Sequence, residues 1–202
     1  LSSGVKKVGY VSSVATLGIT NNEHTSESSS FIFSNSNSNY ALTKYYAEQE
    51  VWRAIAEGLD AVIINPSVIL GPGDWNKGSS QIFQKIYTGL NFYPTGGTGY
   101  VDVKDVAESL VTLLFSDIKN ERFIVSSKNV KHRYLFDLIA KEFSKPKASI
   151  KVTPLLQQLA WRGELIKSFF TGKKPLLTKE TASNAMKTRI YSNKKITQEL
   201  NF

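Results

Sequence analysis

Two short β-prone runs bracketing one helix constrain this chain more than any other feature of its sequence. Residues 6–12 (KKVGYVS) form the first run, and residues 61–65 (AVIIN) form a continuously apolar second one, the pattern of strands covered on both faces of a parallel sheet. Between them a Ser/Asn-rich loop, SSSFIFSNSNSN, leads into a helix that Asn39 can cap and Gly58 can stop. Tyr40, Lys44, Ala47, Val51 and Ala54 fall on one face of that helix, with Ile55 beside them, so the first two are expected to point inward with the apolar stripe. Parallel strands need a crossover rather than a tight turn, and strand, helix and strand here form a βαβ unit of an α/β fold.

The rest of the chain continues in that style and then turns helical. The segment NPSVILGPGDW is punctuated by Pro and Gly and is expected to be loop or turn. Helices are expected over 81–90, 105–115 and 134–143, and strands over 100–103 and 122–126. Beyond Val152 no strand is expected; residues 155–170 and 178–187 read as helices. The opening LSSGVKK reads as a helix end and a turn into the first strand, as if the chain begins inside a domain. Residues 1–65 are therefore assigned to a doubly wound parallel sheet and 66–202 mainly to a smaller, mostly helical part, with 99–126 returning to the sheet.

Composition narrows the chemistry. The 202 residues include no cysteine, which excludes disulfides, thiolate nucleophiles and Cys-ligated metal, and the two histidines, His24 and His132, form no paired metal motif, so no metal site is expected. No run approaches the roughly 18 apolar residues of a membrane span. Charge is uneven: residues 1–100 carry six Lys/Arg against seven Asp/Glu, and residues 101–202 carry nineteen against ten. The lysines of the basic half are scattered among glutamates, and no RNP-like motif, zinc finger or helix-turn-helix signature accompanies them.

Three Tyr-x-x-x-Lys pairs occur, Tyr40/Lys44, Tyr100/Lys104 and Tyr191/Lys195, and only the first opens a helix that follows a sheet strand ending in serines, Ser12 and Ser13. Spacing of four places phenol and ammonium one helical turn apart. The ammonium stabilises the phenolate and brings a tyrosine toward general acid/base work at neutral pH. Hydroxyls at the carboxyl edge of the strand stand where open α/β sheets bind ligands.

In combination and in order, GYVSSVATLG at 9–18, NYALTK at 39–44, INPSVILGPGD at 64–74, GYVDVKDVAESL at 99–110 and the terminal SNKKITQELNF resemble the extended short-chain dehydrogenase/reductases. Within that NAD-dependent epimerase/dehydratase group, the similarity is to dihydroflavonol reductase-like and hydroxysteroid dehydrogenase-like members. The resemblance implies a Rossmann-type dinucleotide-binding domain, of which this chain holds the C-terminal half, with a smaller substrate-covering domain. It implies Ser13 as the catalytic hydroxyl, Tyr40 as the acid/base and Lys44 as the residue that tunes Tyr40 and holds the nicotinamide ribose. Ser12 is the alternative hydroxyl and a cofactor contact, and Asn65, Pro66, Ser67 and Val68 match the stretch that fixes the nicotinamide carboxamide. The family's arginine is replaced by Asn65. Asp105 is read as a helix cap.

The cofactor implied is NAD or NADP, the partner a small-molecule substrate, the location cytoplasmic, and a homodimer stays open. A nucleotide-sugar epimerase or dehydratase is the alternative activity, and a dinucleotide-sensing or scaffold protein is the non-enzymatic one. The family's Gly-rich pyrophosphate turn has no counterpart before Leu1. Residues 95–102 (TGGTGYVD) imitate it but carry Asp102 at the third glycine position, and are read as a turn into a strand. The 202 residues alone are accordingly expected to be inactive.

Scattered lysines attract phosphate only weakly, and salt removes that attraction by competing for counterion release. The basic half is therefore expected to give no sequence-dependent complex in a gel shift at physiological salt.

Overall fold

Fifteen strands and helices follow one another along the described residues, 4–18, 24–34, 37–172 and 178–200, of a computed structural model. In chain order they are β1 (Lys7–Val11), α1 (Asn39–Ala56), β2 (Asp60–Pro66), β3 (Val68–Leu70), α2 (Gln81–Tyr87), β4 (Phe92–Tyr93), β5 (Gly97–Asp102) and α3 (Val103–Phe115). Then come β6 (Glu121–Val125), β7 (Lys128–Lys131), α4 (His132–Glu142), β8 (Ile150–Lys151), α5 (Pro154–Thr171), α6 (Lys179–Met186) and α7 (Lys194–Leu200). Two compact units emerge: residues 1–71, 99–129 and 189–202 form the first, and 72–98 and 130–188 the second.

The first unit is built on the parallel sheet β1-β2-β6, with Val8 opposite Ala61 and Ile64 opposite Phe123. Both faces of its middle strand are covered, as the unbroken apolar run requires: Val62, Ile63 and Ile64 have no exposed surface. Val62, Ile64, Phe123 and Val125 pack with Val106 and Leu113 of α3 and Ile196 of α7, whereas Ile124 packs with Leu17 and Tyr191. Each such fully buried side chain contributes roughly 1.5–3 kcal/mol of transfer free energy. β1 lies close under α3 because Gly9 has no side chain; a Cβ there would stand 2.9 Å from Leu110 Cδ1. Lys7 Nζ donates to the carbonyls of Leu113 and Ser116 at 2.6 and 2.9 Å, placing a cation at the negative end of α3. This is the Rossmann-type, doubly wound arrangement expected from the sequence.

The second unit is mostly helical. Ile86 of α2 and Ile139 and Ala140 of α4 form its buried centre, with Ile82, Phe83 and Phe136 around them, and β4 and β8 pair in parallel.

Several expectations are corrected. Ser38, not Asn39, caps α1, its Oγ accepting from Ala41 N at 2.9 Å; the helix stops where Gly58 takes φ +99°, a left-handed position glycine adopts freely. The segment NPSVIL is strand rather than loop: β2 runs through Pro66 and β3 pairs with β5, Val68 opposite Tyr100. Pro66 is tolerated because it is the last residue of its strand. Residues 97–102 are strand as well, and Asp102 rather than Asp105 caps α3, accepting from Lys104 N at 2.7 Å. The first unit extends to residue 71 and includes 189–202, which the sequence had placed with the helical part. The helix end expected at residues 1–3 lies outside the described residues.

Phe123 is fully buried in the larger core cluster. Phe123→Ala is expected to destabilise the chain by about 3–5 kcal/mol through lost burial and the cavity left behind, read as a lower midpoint in urea unfolding.

Candidate active site

Where β1 ends, four elements meet around one buried carboxylate. Glu48 of α1 is 1% exposed. Its Oε2 accepts from Ser12 Oγ, from Thr16 Oγ1 at 2.8 Å and from Asn65 Nδ2 at 2.9 Å. Its Oε1 accepts from Trp52 Nε1 and from Arg122 Nη1, each at 3.2 Å. A carboxylate so buried is tolerable only when donors replace its lost water, and five donors with a guanidinium among them do so. Burial of a charge in an apolar helix stripe was the available sequence signal, since Glu48 stands four residues after Lys44 on the helix. Trp52 is one turn on along the same helix, but the other four donors come from residues 12, 16, 65 and 122, which no sequence spacing connects.

The network positions the serine turn. Ser13 caps the short 3-10 turn Val14–Thr16, its Oγ accepting from Ala15 N at 3.2 Å. The Ser13 carbonyl accepts from Thr16 N, Thr16 Oγ1 and Asn65 Nδ2, so both side chains that hold Ser13 also hold Glu48. Lys44 Nζ donates to Val11 O at 3.0 Å, two residues before Ser13, and lies 5.6 Å from the centre of the Tyr10 ring. Burial, the Glu48 carboxylate and Tyr40 together push the Tyr10 phenol above its ordinary value. Tyr40, one turn before Lys44, is 58% exposed.

The inward orientation expected for Tyr40 is therefore wrong. The most buried residues of α1 are Ala41 and Glu48, and the core-facing stripe is centred on them rather than on 40, 47 and 54, leaving Tyr40 at its open edge. Ser12 and Asn65 are also placed differently from the sequence reading. Ser12 is buried with its hydroxyl on Glu48, and the Asn65 amide nitrogen is engaged by Ser13, Thr16 and Glu48, so neither of these groups is presented outward. Pro66 ends β2, Ser67 N donates to Val125 O at 3.0 Å with its buried Oγ unpartnered, and Val68 begins β3.

The two other Tyr/Lys pairs differ in setting. Tyr100 lies in β5 and burial pushes its phenol up to about 12, while Lys104 lies in α3. Tyr191 is buried, and Lys195 donates to Arg122 O and pairs with Glu121. Elsewhere in the first unit a cavity of about 390 Å³ is lined by Asp105, Glu108, Ser109, Thr112 and Asn193, none of them a residue assigned to the site above. Among the described residues no group of three or more acidic or histidine side chains could hold a metal ion, and no helix is long and apolar enough to cross a membrane.

Comparison with known proteins gives the context. The sequence profile of the NAD dependent epimerase/dehydratase family matches residues 1–125. A putative dihydroflavonol 4-reductase of Synechocystis is 32% identical over 108 residues, covering 52% of this chain and 32% of that protein. The crystal structure of gox2253 matches 100% of this chain and 62% of its own, with a TM-score of 0.78 at 29% identity. Gre2 of Candida albicans, solved in complex with NADPH, matches 98% of this chain and 59% of its own with a TM-score of 0.67 at 23% identity, a likeness of fold. The chain spans about half or less of the length of the curated relatives it matches.

Glu48→Ala removes the acceptor for four neutral donors and strips Arg122 of its buried partner. It is expected to cost about 3–5 kcal/mol, measured by denaturant unfolding, and more than the double variant E48M/R122M, which removes both charges together.

Proposed function

The chain belongs to the NAD dependent epimerase/dehydratase family, and from that premise we propose that it carries the proton-transfer residues of an NAD(P)-dependent oxidoreductase acting on an alcohol or ketone group. The observation that carries this reading is an accessible phenol, Tyr40, one turn before an ammonium, Lys44, that is held on Val11 O at the carboxyl edge of the parallel sheet, two residues before Ser13. Tyr40 exchanges the proton on the substrate oxygen, since its phenol faces outward where a substrate can reach it. Lys44, anchored on Val11 O, places a positive charge one helical turn from Tyr40. Ser13 keeps a hydroxyl proton to donate while its oxygen accepts from Ala15 N, and it orients the substrate oxygen.

The residues present fit a dinucleotide at this edge. β1, β2 and β6 run parallel and end together at Val11, Pro66 and Val125, the position where open α/β sheets hold nucleotides, and Ser67 brings a buried, unpartnered hydroxyl there. Tyr40 and Lys44 are the side chains that would hold the nicotinamide ribose, with Pro66, Ser67 and Val68 toward the carboxamide. Ser12 and Asn65 support that edge through Glu48. The bound nicotinamide supplies the hydride acceptor or donor. Tyr100 does not suit the acid/base role, because an acid near 12 in a buried strand has little phenolate at neutral pH.

In the protein that carries this chain, Tyr40→Phe is expected to lower turnover by about 10² or more with unchanged circular dichroism, because it removes one exposed hydroxyl. Steady-state reduction of a carbonyl panel with NADH and NADPH reads it out. Ser13→Ala is expected to lower kcat more than Ser12→Ala does. Full activity of Tyr40→Phe together with loss in Tyr100→Phe would assign the chemistry elsewhere.

A further inference from the structure

α5 leaves most of its apolar side chains exposed. Leu156, Gln157, Trp161, Glu164 and Ser168 are its half-buried residues, while Leu155, Leu159, Ile166, Phe169 and Phe170 are exposed, the two phenylalanines by 85% and 80%. At about 3.6 residues per turn, those five apolar side chains fall in one sector roughly 100° wide, the width of the stripe that a surface helix ordinarily turns to its core. The helix is defined by its own caps: Thr153 Oγ1 accepts from Leu156 N, and Gly172, at φ +66°, ends it just past the phenylalanine pair. A continuous apolar stripe left outward marks a surface for a partner or a lipid phase.

Charge selects between these. Residues 151–172 and 178–187 carry five Lys/Arg against two Asp/Glu. Arg162 falls inside the stripe, but its guanidinium is drawn to the flank, donating to Gln158 O and Oε1 and lying 4.8 Å from the Trp161 ring centre, so the outer face stays apolar. Self-pairing across a two-fold axis would set this cationic segment against its own copy. An anionic headgroup layer matches it: acyl chains take Leu, Ile and Phe while the cations remain among the headgroups. Since α5 is not apolar enough to cross a bilayer, it would lie in the plane of the surface. We propose that α5 is a peripheral docking helix for an anionic lipid bilayer, inserting Leu155, Leu159, Ile166, Phe169 and Phe170. This inference rests on the second unit alone and is independent of the catalytic reading.

The test is co-sedimentation of the protein that carries this chain with phosphatidylcholine vesicles containing about 30% phosphatidylserine, against pure phosphatidylcholine, at low and high salt. The chain is expected to bind the anionic vesicles and to weaken as salt rises. F169S/F170S is expected to lower the partition coefficient about tenfold with unchanged circular dichroism, L155S/L159S to do likewise, and F169L/F170L to retain binding. The proposal is overturned if the chain does not sediment with anionic vesicles, or if both serine variants bind as well as the parent. It is equally overturned if light scattering shows a dimer that the serine variants convert to monomer, which would give the stripe to a second copy.

Discussion

The buried carboxylate of Glu48 is the interaction on which the first unit depends. A single side chain from α1 receives donors from the end of β1, the turn after it, β2 and β6, and so ties the crossover helix to all three strands of the parallel sheet. Arg122 extends the tie: its Nε donates to Glu27 O and its Nη2 to Ser29 O, while Glu27 Oε1 accepts from Ile124 N. The loop before α1 is thereby hydrogen-bonded along β6. Hydrophobic burial of Val62, Ile64 and Phe123 supplies the larger share of the driving force, but it is non-directional. Directional hydrogen bonds in a medium of low polarity are what specify the conformation of the turn at Ser13.

That division of labour explains how one helix presents three polar side chains with three fates. Tyr40, Lys44 and Glu48 are spaced at successive turns of α1, from open edge to buried centre. Glu48 is fully inside and neutralised by Arg122; Lys44 is half-buried and held by a backbone carbonyl; Tyr40 is outside. A helix placed in this way against a strand end holds its polar side chains on rigid elements while leaving the outermost accessible.

The second unit follows a different rule. Its core is small, formed by Ile86, Ile139 and their neighbours, and α5 half-buries Leu156, Gln157, Trp161, Glu164 and Ser168 while most of its aliphatic side chains and both phenylalanines are exposed. Helical periodicity is the same whichever face is buried, so the pattern that identifies α5 as amphipathic carries no information on the direction in which its apolar stripe points.

The sequence by itself determined the elements whose signals are local. Unbroken apolar runs, helical stripes and Gly58 located β1, α1, β2, α3, α4 and the long helices, because period and turn chemistry act over a few residues. It also singled out Tyr40/Lys44 among three pairs, since only there does the spacing fall within one helix. The order of motifs carried the family. It misjudged NPSVIL, because the flanking Pro and Gly are turn formers that pairing with β5 overrides, and it assigned the C-terminal segment to the wrong unit, because docking of Ile196 on the sheet core is a contact between distant positions. Only the tertiary structure decided that Ser12 and Asn65 turn inward to Glu48, that Tyr40 stays outside, and that Asp102 rather than Asp105 caps α3. The reason is that burial and hydrogen-bond partnership depend on which elements meet in space, and a spacing along the chain records only which residues share a face of their own element.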